Sequence, residues 1–300
     1  DLAEKIIEIT PKNIKKVFFS DNGSTANEVA LKMSIQYWNN IKNPKERFIA
    51  FEGAYHGDTF GSMCLTARGG FNEPFERFMF DVDFIPRPDG NNNQEVISLF
   101  KKLISKGDTA AFIFEPIVQG ASGMNIYSEE VLSELIKLAS QADVITIADE
   151  VFTGFGRTGS WLAVDYLEYK PDIICLSKAL TGGFLPLGLT VVSQKIFDGF
   201  YSDEPKHTFL HGHSYTGSPL CCAAANASLE LMSKDGFWEH IEILSNRMAE
   251  NINDIHEYSS VRAARSKGLV GAVEIDAGGE SSYFNKSGKV IYKPVSYTHL

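Results

Sequence analysis

Three hundred residues, at roughly 150 per domain, suggest two domains or one large α/β domain with an appendage. A composition of 44% hydrophobic and 22% charged residues is that of a globular protein and excludes wholesale disorder. Twenty-eight basic against 38 acidic residues leave a formal charge of −10, which argues against a general nucleic-acid or anionic-membrane binder.

The chain opens at Asp1 inside a predicted helix carrying Leu2, Ile6, Ile7 and Ile9, so it is expected to be a fragment. The first twenty residues mix acids with lysines and do not form a signal peptide. No apolar run approaches the roughly 18 residues a spanning helix needs. A strand over 17–19 leads into the turn Asp21, Asn22, Gly23, Ser24 and then a helix to about residue 38. On that helix Ala26, Val29, Ala30, Met33 and Tyr37 share one face, while Leu31, Ile35 and Trp38 sit opposite, predicting burial on two sides. Further strands are predicted over 48–51, 110–114, 144–148, 173–176 and 187–192, and helices over 95–104, 129–141, 219–232 and 237–255. Unbroken apolar strands separated by helices predict an α/β fold with a mostly parallel sheet covered on both faces. After Lys234, Asp235 and Gly236 the pattern changes to a long helix and one strand over 269–275. The predicted division is therefore a large domain over 1–235 and part of a smaller α+β domain over 236–300. Cys64, Cys175, Cys221 and Cys222 contain no CxxC pair, which disfavours a disulfide framework or thiolate metal site and makes a reducing cytoplasm the expected compartment.

Ligands of doubly wound sheets bind beyond the carboxyl ends of the strands, and three polar stretches fall there. Asp21 to Thr25 open a helix, where free N–H groups and the helix dipole suit an anion and Gly23 allows close approach; Ser24 or Asp21 acting only as a helix cap is the other reading. The pattern is neither GxGxxG nor a P-loop. Asp149 and Glu150 end an apolar strand, where a carboxylate at the sheet edge competes with a metal ligand or a simple turn cap. Lys178 follows the strand over 173–176 in a Gly-rich turn, a crowded, partly desolvated place that would favour a reactive amine, although a lone lysine is more often a surface residue. An anion-binding helix start, an edge carboxylate and an edge lysine together match what pyridoxal phosphate requires: donors for phosphate, a carboxylate for the ring nitrogen, an amine for the aldehyde.

The stretches 18–33, 55–59, 147–151 and 177–183 closely resemble class III, fold-type I, pyridoxal-phosphate-dependent aminotransferases. Within the family, 115–120, 154–159 and 211–217 are most similar to the branch that moves an amino group from S-adenosylmethionine to 8-amino-7-oxononanoate in biotin synthesis. The resemblance covers nearly the whole chain to about Tyr292. It implies that Lys178 binds the cofactor aldehyde and shuttles the proton, that Asp149 pairs with the pyridine nitrogen, and that Gly23 and Ser24 hold the phosphate. It also implies that Tyr55 stacks on the ring, that Val151 packs on the opposite face, and that Ser214 reaches the phosphate of a neighbouring subunit, hence a homodimer with shared sites. Asp58, Arg157 and Gly212 are implied at the substrate pocket with Tyr55 and Lys178, and the opposite charges of Asp58 and Arg157 are expected to meet; a loop-fixing salt bridge is the plain alternative. Another class III ω-aminotransferase, or an inactive fragment of one, remains the alternative function.

His56 reads as a hydrogen-bonding turn residue, and Glu115 as either a cofactor neighbour or half of a buried structural pair. His207, His211 and His213 have zinc-like spacing, but no carboxylate or thiolate completes a set, so no metal is expected. The family carries a further segment before Asp1 and a C-terminal continuation with a carboxylate-binding arginine. Residues 296–300 do not continue the family pattern and read as an assembly scar, with a native strand end as the other reading.

Overall fold

The computed structural model describes residues 1–69 and 72–276. The helices are α1 (Leu2–Ile9), α2 (Gly23–Asn40), α3 (Phe60–Leu65), α4 (Asn93–Ile104), α5 (Glu129–Gln141), α6 (Gln194–Asp198), α7 (Pro219–Met232) and α8 (Phe237–Ile255). The strands are β1 (Ile14–Ser20), β2 (Arg47–Phe51), β3 (Asp83–Ile85), β4 (Thr109–Phe114), β5 (Val118–Gln119), β6 (Asn125–Ile126), β7 (Ile145–Asp149), β8 (Ile173–Leu176), β9 (Gly188–Ser193), β10 (Val261–Lys267) and β11 (Val270–Ile275).

Seven strands form one sheet in the order β1-β9-β8-β7-β4-β2-β3. It is parallel throughout except for β9, which runs antiparallel to both neighbours. Every residue of β4, β7, β8 and β9 is buried, which is why these strands read as continuous apolar runs rather than alternating ones. The period of two nonetheless divides the core. Phe112 and Phe114 pack with α1, α4, α5 and α7 on one face, whereas Ala111 and Ile113 pack with α2 and α6 on the other. On α2, Leu31 and Trp38 are buried as expected, but Ile35 lies exposed, so burial on the second side is incomplete.

The C-terminal part corrects one expectation. Instead of one strand after the long helix, β10 and β11 pair as an antiparallel hairpin around Gly268, whose φ is +57°. Both strands pack on α8. Residues 296–300, and with them the reading of an assembly scar, lie outside the described residues. Among the described residues no helix is long and apolar enough to cross a membrane.

Candidate active site

The parallel strands end at one edge of the sheet, and a cavity of about 690 Å³ opens there. Asp149 is the last residue of β7 and stands opposite Cys175 of β8. Lys178 lies two residues beyond the end of β8 and borders the same cavity, as do Gly23, Ser24, Tyr55 and Val151. Residues from four widely separated stretches are thus gathered by strand ends that the sheet order makes neighbours.

The helix start is built for an anion. Asn22 caps α2 by accepting the Thr25 N–H, and Thr25 Oγ1 accepts the Asn22 N–H in return. The Asn22 carbonyl accepts from Ala26 N, while the Gly23 and Ser24 N–H groups have no acceptor within the described residues. Gly23 is required by space: a Cβ there would stand 2.6 Å from Val151 Cγ1. Gly57 is required by both conformation and space, with φ +125° and a would-be Cβ 2.1 Å from Ser24 Oγ.

Asp149 is buried and held by three donors. Asn27 Nδ2 and His56 Nδ1 each lie 2.8 Å from Oδ2, and the Val151 N–H reaches Oδ1 at 3.1 Å. Glu115, nearby, accepts the Tyr55 N–H at 3.2 Å and the Gly120 N–H at 2.8 Å, fixing the Tyr55 turn to the loop after β4. Burial pushes its carboxyl up to about 7, against a partial pull downward from His56. Of its two sequence readings, the geometry shows a buried anchor that also borders the cavity. Tyr55 donates its hydroxyl to Asp58 Oδ2 at 2.9 Å. Burial first, and that bond second, push its phenol up to about 12.

Lys178 departs from the crowded position expected. It is exposed, because the loop that follows, residues 182–186, is itself exposed and adds no cover. Its backbone has φ +46°, the left-handed region that costs a residue with a Cβ about 1–2 kcal/mol. Asp58 and Arg157 do not meet either. Asp58 faces Tyr55, whereas the loop carrying Arg157 turns toward the C-terminal hairpin, where the Arg157 carbonyl accepts the Leu269 N–H at 2.9 Å. Neither residue borders the cavity, and Arg157 is exposed. Gly212 and Ser214 are exposed in the loop before α7 and also lie outside the cavity lining of this single chain. His211 contacts Lys32 and His213 approaches Asp21. Among the described residues no group of three His, Cys, Asp or Glu side chains could hold a metal ion.

Sequence reasoning missed Asn27, and His56 as a partner of Asp149. Asn27 lies one helical turn after Gly23 and so faces the same side, a signal that the apolar pattern of the helix obscures. His56 lies 93 residues from Asp149 and carries no local cue.

Residues 1–292 match the family model described as aminotransferase class-III. The adenosylmethionine-8-amino-7-oxononanoate aminotransferase of Synechococcus elongatus is 52% identical over 239 residues, covering 77% of this chain and 56% of that relative. The enzyme of the same name from Staphylococcus aureus is 38% identical over 291 residues, 92% of this chain and 64% of the relative. The chain therefore spans less than two thirds of the length of these relatives. A crystal structure of adenosylmethionine-8-amino-7-oxononanoate aminotransferase from Methanocaldococcus jannaschii matches with a TM-score of 0.87 at 35% identity, over 92% of this chain and 64% of that one. A PLP-bound amine transaminase from an uncultivated Pseudomonas species matches with a TM-score of 0.86 at 30% identity, over 92% and 66%.

Proposed function

This chain belongs to the class-III aminotransferases, and from that premise we propose that it carries the cofactor site of a pyridoxal-phosphate enzyme that transfers an amino group from S-adenosylmethionine to 8-amino-7-oxononanoate. The observation that carries the cofactor reading is the meeting of Lys178, Asp149 and the open start of α2 in one cavity. The residues present fit the group. The Asp149 carboxylate has about four acceptor positions, three of them taken by this chain's own donors, so one is left for a ring N–H. The N–H groups of Gly23 and Ser24, which have no acceptor among the described residues, suit a phosphate.

Pyridoxal phosphate, when bound, supplies an aldehyde that captures amines and a ring that withdraws electrons from the carbon bearing them. Lys178 Nζ would bind the aldehyde carbon and, once displaced by the amino donor, carry a proton away from the donor's Cα. Asp149 would hold the proton on the ring nitrogen, and Gly23 and Ser24 would bind the phosphate through backbone N–H groups. Tyr55 and Val151 would confine the two ring faces.

The choice of donor and acceptor rests on the names of the relatives. Ser214 and Gly212 are proposed to complete the site of a second copy. Exposed apolar side chains support such a homodimer: Phe184, Leu210 and Leu220 are 87%, 83% and 74% accessible. The free cysteines are in keeping with a cytoplasmic enzyme. Residues 1–235 are proposed as the cofactor-binding domain, and 236–300 as part of a smaller one.

A donor panel on the full chain with pyridoxal phosphate tests the reading, with 7,8-diaminononanoate detected by mass spectrometry. S-adenosylmethionine is expected to be the effective donor. Efficient turnover with alanine or glutamate but none with S-adenosylmethionine would hand the function to another class III ω-aminotransferase.

A further inference from the structure

The start of α2 holds a reactive dipeptide that the cofactor reading does not use. Asn22 and Gly23 are the one Asn-Gly pair in the sequence. A peptide nitrogen that follows asparagine can attack the side-chain amide carbon, and glycine, which has no Cβ, shields its nitrogen least. Here Asn22 is exposed and borders the cavity, and the Gly23 N–H has no acceptor among the described residues. The Asn22 amide is bonded at both ends. Its Oδ1 accepts the Thr25 N–H at 3.0 Å, which draws electrons away from Cγ, and its Nδ2 donates to Asp21 Oδ1 at 3.1 Å. The Asn22 backbone is extended, with φ −161° and ψ 177°, and its carbonyl accepts from Ala26 N at 3.0 Å. That bond and the cap oppose the rotation that would bring the Gly23 nitrogen onto Cγ, so the attack waits for the first turn to fray, as helix ends do.

We propose that Asn22 is a site of spontaneous deamidation, and that a phosphate bound at the start of α2 holds the reaction off. The Gly23 nitrogen bonds to Asn22 Cγ, the Cγ–Nδ2 bond breaks, and Nδ2 leaves as ammonia with the Gly23 proton, closing a five-membered imide. Water opens the imide at either carbonyl, its OH going to carbon and its H to nitrogen, and leaves aspartate or isoaspartate at position 22. The Gly23 N–H that starts the reaction is the one assigned to the phosphate, so a bound phosphate engages the nucleophile and pins the first turn. This rests on the reading of the cavity as a pyridoxal-phosphate site. The product opposes phosphate in turn. Where the amide donated to Asp21, two carboxylates would face each other, adding negative charge beside the cradle. Isoaspartate also lengthens the main chain by one carbon just ahead of Gly23. A chain that stands without its cofactor therefore loses, with time, the ability to take it back.

The test ages three samples of the full chain in mildly alkaline buffer: free of cofactor, with pyridoxal phosphate, and with pyridoxal at the same fractional occupancy. Pyridoxal offers the aldehyde and the ring without the phosphate. Peptide mapping by mass spectrometry reads residue 22. The cofactor-free and pyridoxal samples are expected to accumulate aspartate and isoaspartate there. Pyridoxal phosphate at about ten times its Kd is expected to slow this about tenfold, the factor by which the free form is depleted. An amide that stays intact without cofactor, or one protected equally by pyridoxal or by neither ligand, overturns the proposal. Affinities read by fluorescence test the consequence. Asn22→Asp is expected to bind pyridoxal phosphate about tenfold more weakly than wild type and pyridoxal within about twofold; equal losses, or none, overturn the proposal. Asn22→Ser keeps a capping oxygen but no amide and is expected to hold its affinity on ageing, whereas wild type aged without cofactor loses affinity. Should Asn22→Asp fail to fold, the ageing series on wild type decides alone. Failure of wild type to bind pyridoxal phosphate at all would instead refute the cofactor reading, a separate outcome, with the fate of Asn22 still read in the cofactor-free sample.

Discussion

Replacing Gly23 by alanine puts a methyl group where the chain has no room for it. The added Cβ would lie 2.6 Å from Val151 Cγ1 and 3.0 Å from Cγ2, whereas carbons in contact sit about 3.5–4.0 Å apart, so the valine must retreat by roughly 1 Å. It retreats poorly, being stiff at χ1 and tied by its N–H to Asp149 Oδ1 at 3.1 Å. Overpacking of this kind costs about 1–3 kcal/mol, and the better helix propensity of alanine offsets up to about 1 kcal/mol of it. A net loss of about 1–2 kcal/mol is therefore expected for Gly23→Ala. Val151→Ala removes both offending methyls and leaves only Cβ, at 3.3 Å. The double variant should consequently be more stable than the two single losses added together, by a coupling of about 1–2 kcal/mol. Urea midpoints of wild type, both single variants and the double variant, at unchanged m-value and without cofactor, measure this coupling. Additive losses, within about 0.5 kcal/mol, would refute the claim that Gly23 is present to make room for Val151.

Lys178→Ala should abolish transamination while leaving the fold intact, since Lys178 is exposed; turnover in a preparation free of wild-type enzyme would contradict its role. Asp149→Asn should keep most cofactor affinity but lose nearly all activity, because an amide cannot hold the ring nitrogen protonated; near-normal half-reaction rates would count against it. Glu150, fully buried, has its carboxyl pushed up to about 7 by burial, above an ordinary value of 4.5. The folded state thus keeps a proton that the unfolded state releases between those two values. Stability should fall as pH rises through that window, by about 3 kcal/mol, and level off above it. Glu150→Gln should lack this part of the fall in denaturation midpoints taken from pH 4 to 8, and an unchanged pH profile would refute the assignment.

The parts of the fold that could be read from the sequence are those where burial is complete. Strands β4, β7, β8 and β9, buried on both faces, announce themselves as apolar runs, and their ends then mark Asp149 and Lys178. Strand β3 escapes notice because three residues are too few to show a period. Strand β10 escapes because Arg262, Arg265 and Lys267 break its apolar content. Arg265 and Lys267 instead pair with Glu274 and Glu129. The Asp58–Arg157 pair was expected from two loops sharing a sheet edge, but charge alone does not fix where a loop points. The backbone turns at Phe155 and Gly156, with φ of +58° and +86°, carry Arg157 toward the hairpin instead. The His56–Asp149 contact depends on a turn and a strand end that meet only in the folded sheet. Such long-range polar pairs leave no periodic trace in a single sequence.

The most direct measurement is to load the full chain with pyridoxal phosphate, reduce it with borohydride and map the modified peptide. The cofactor should be found attached to the Lys178 Nζ alone, and a wild-type protein labelled at another lysine, or not at all, would contradict the assignment of this cavity.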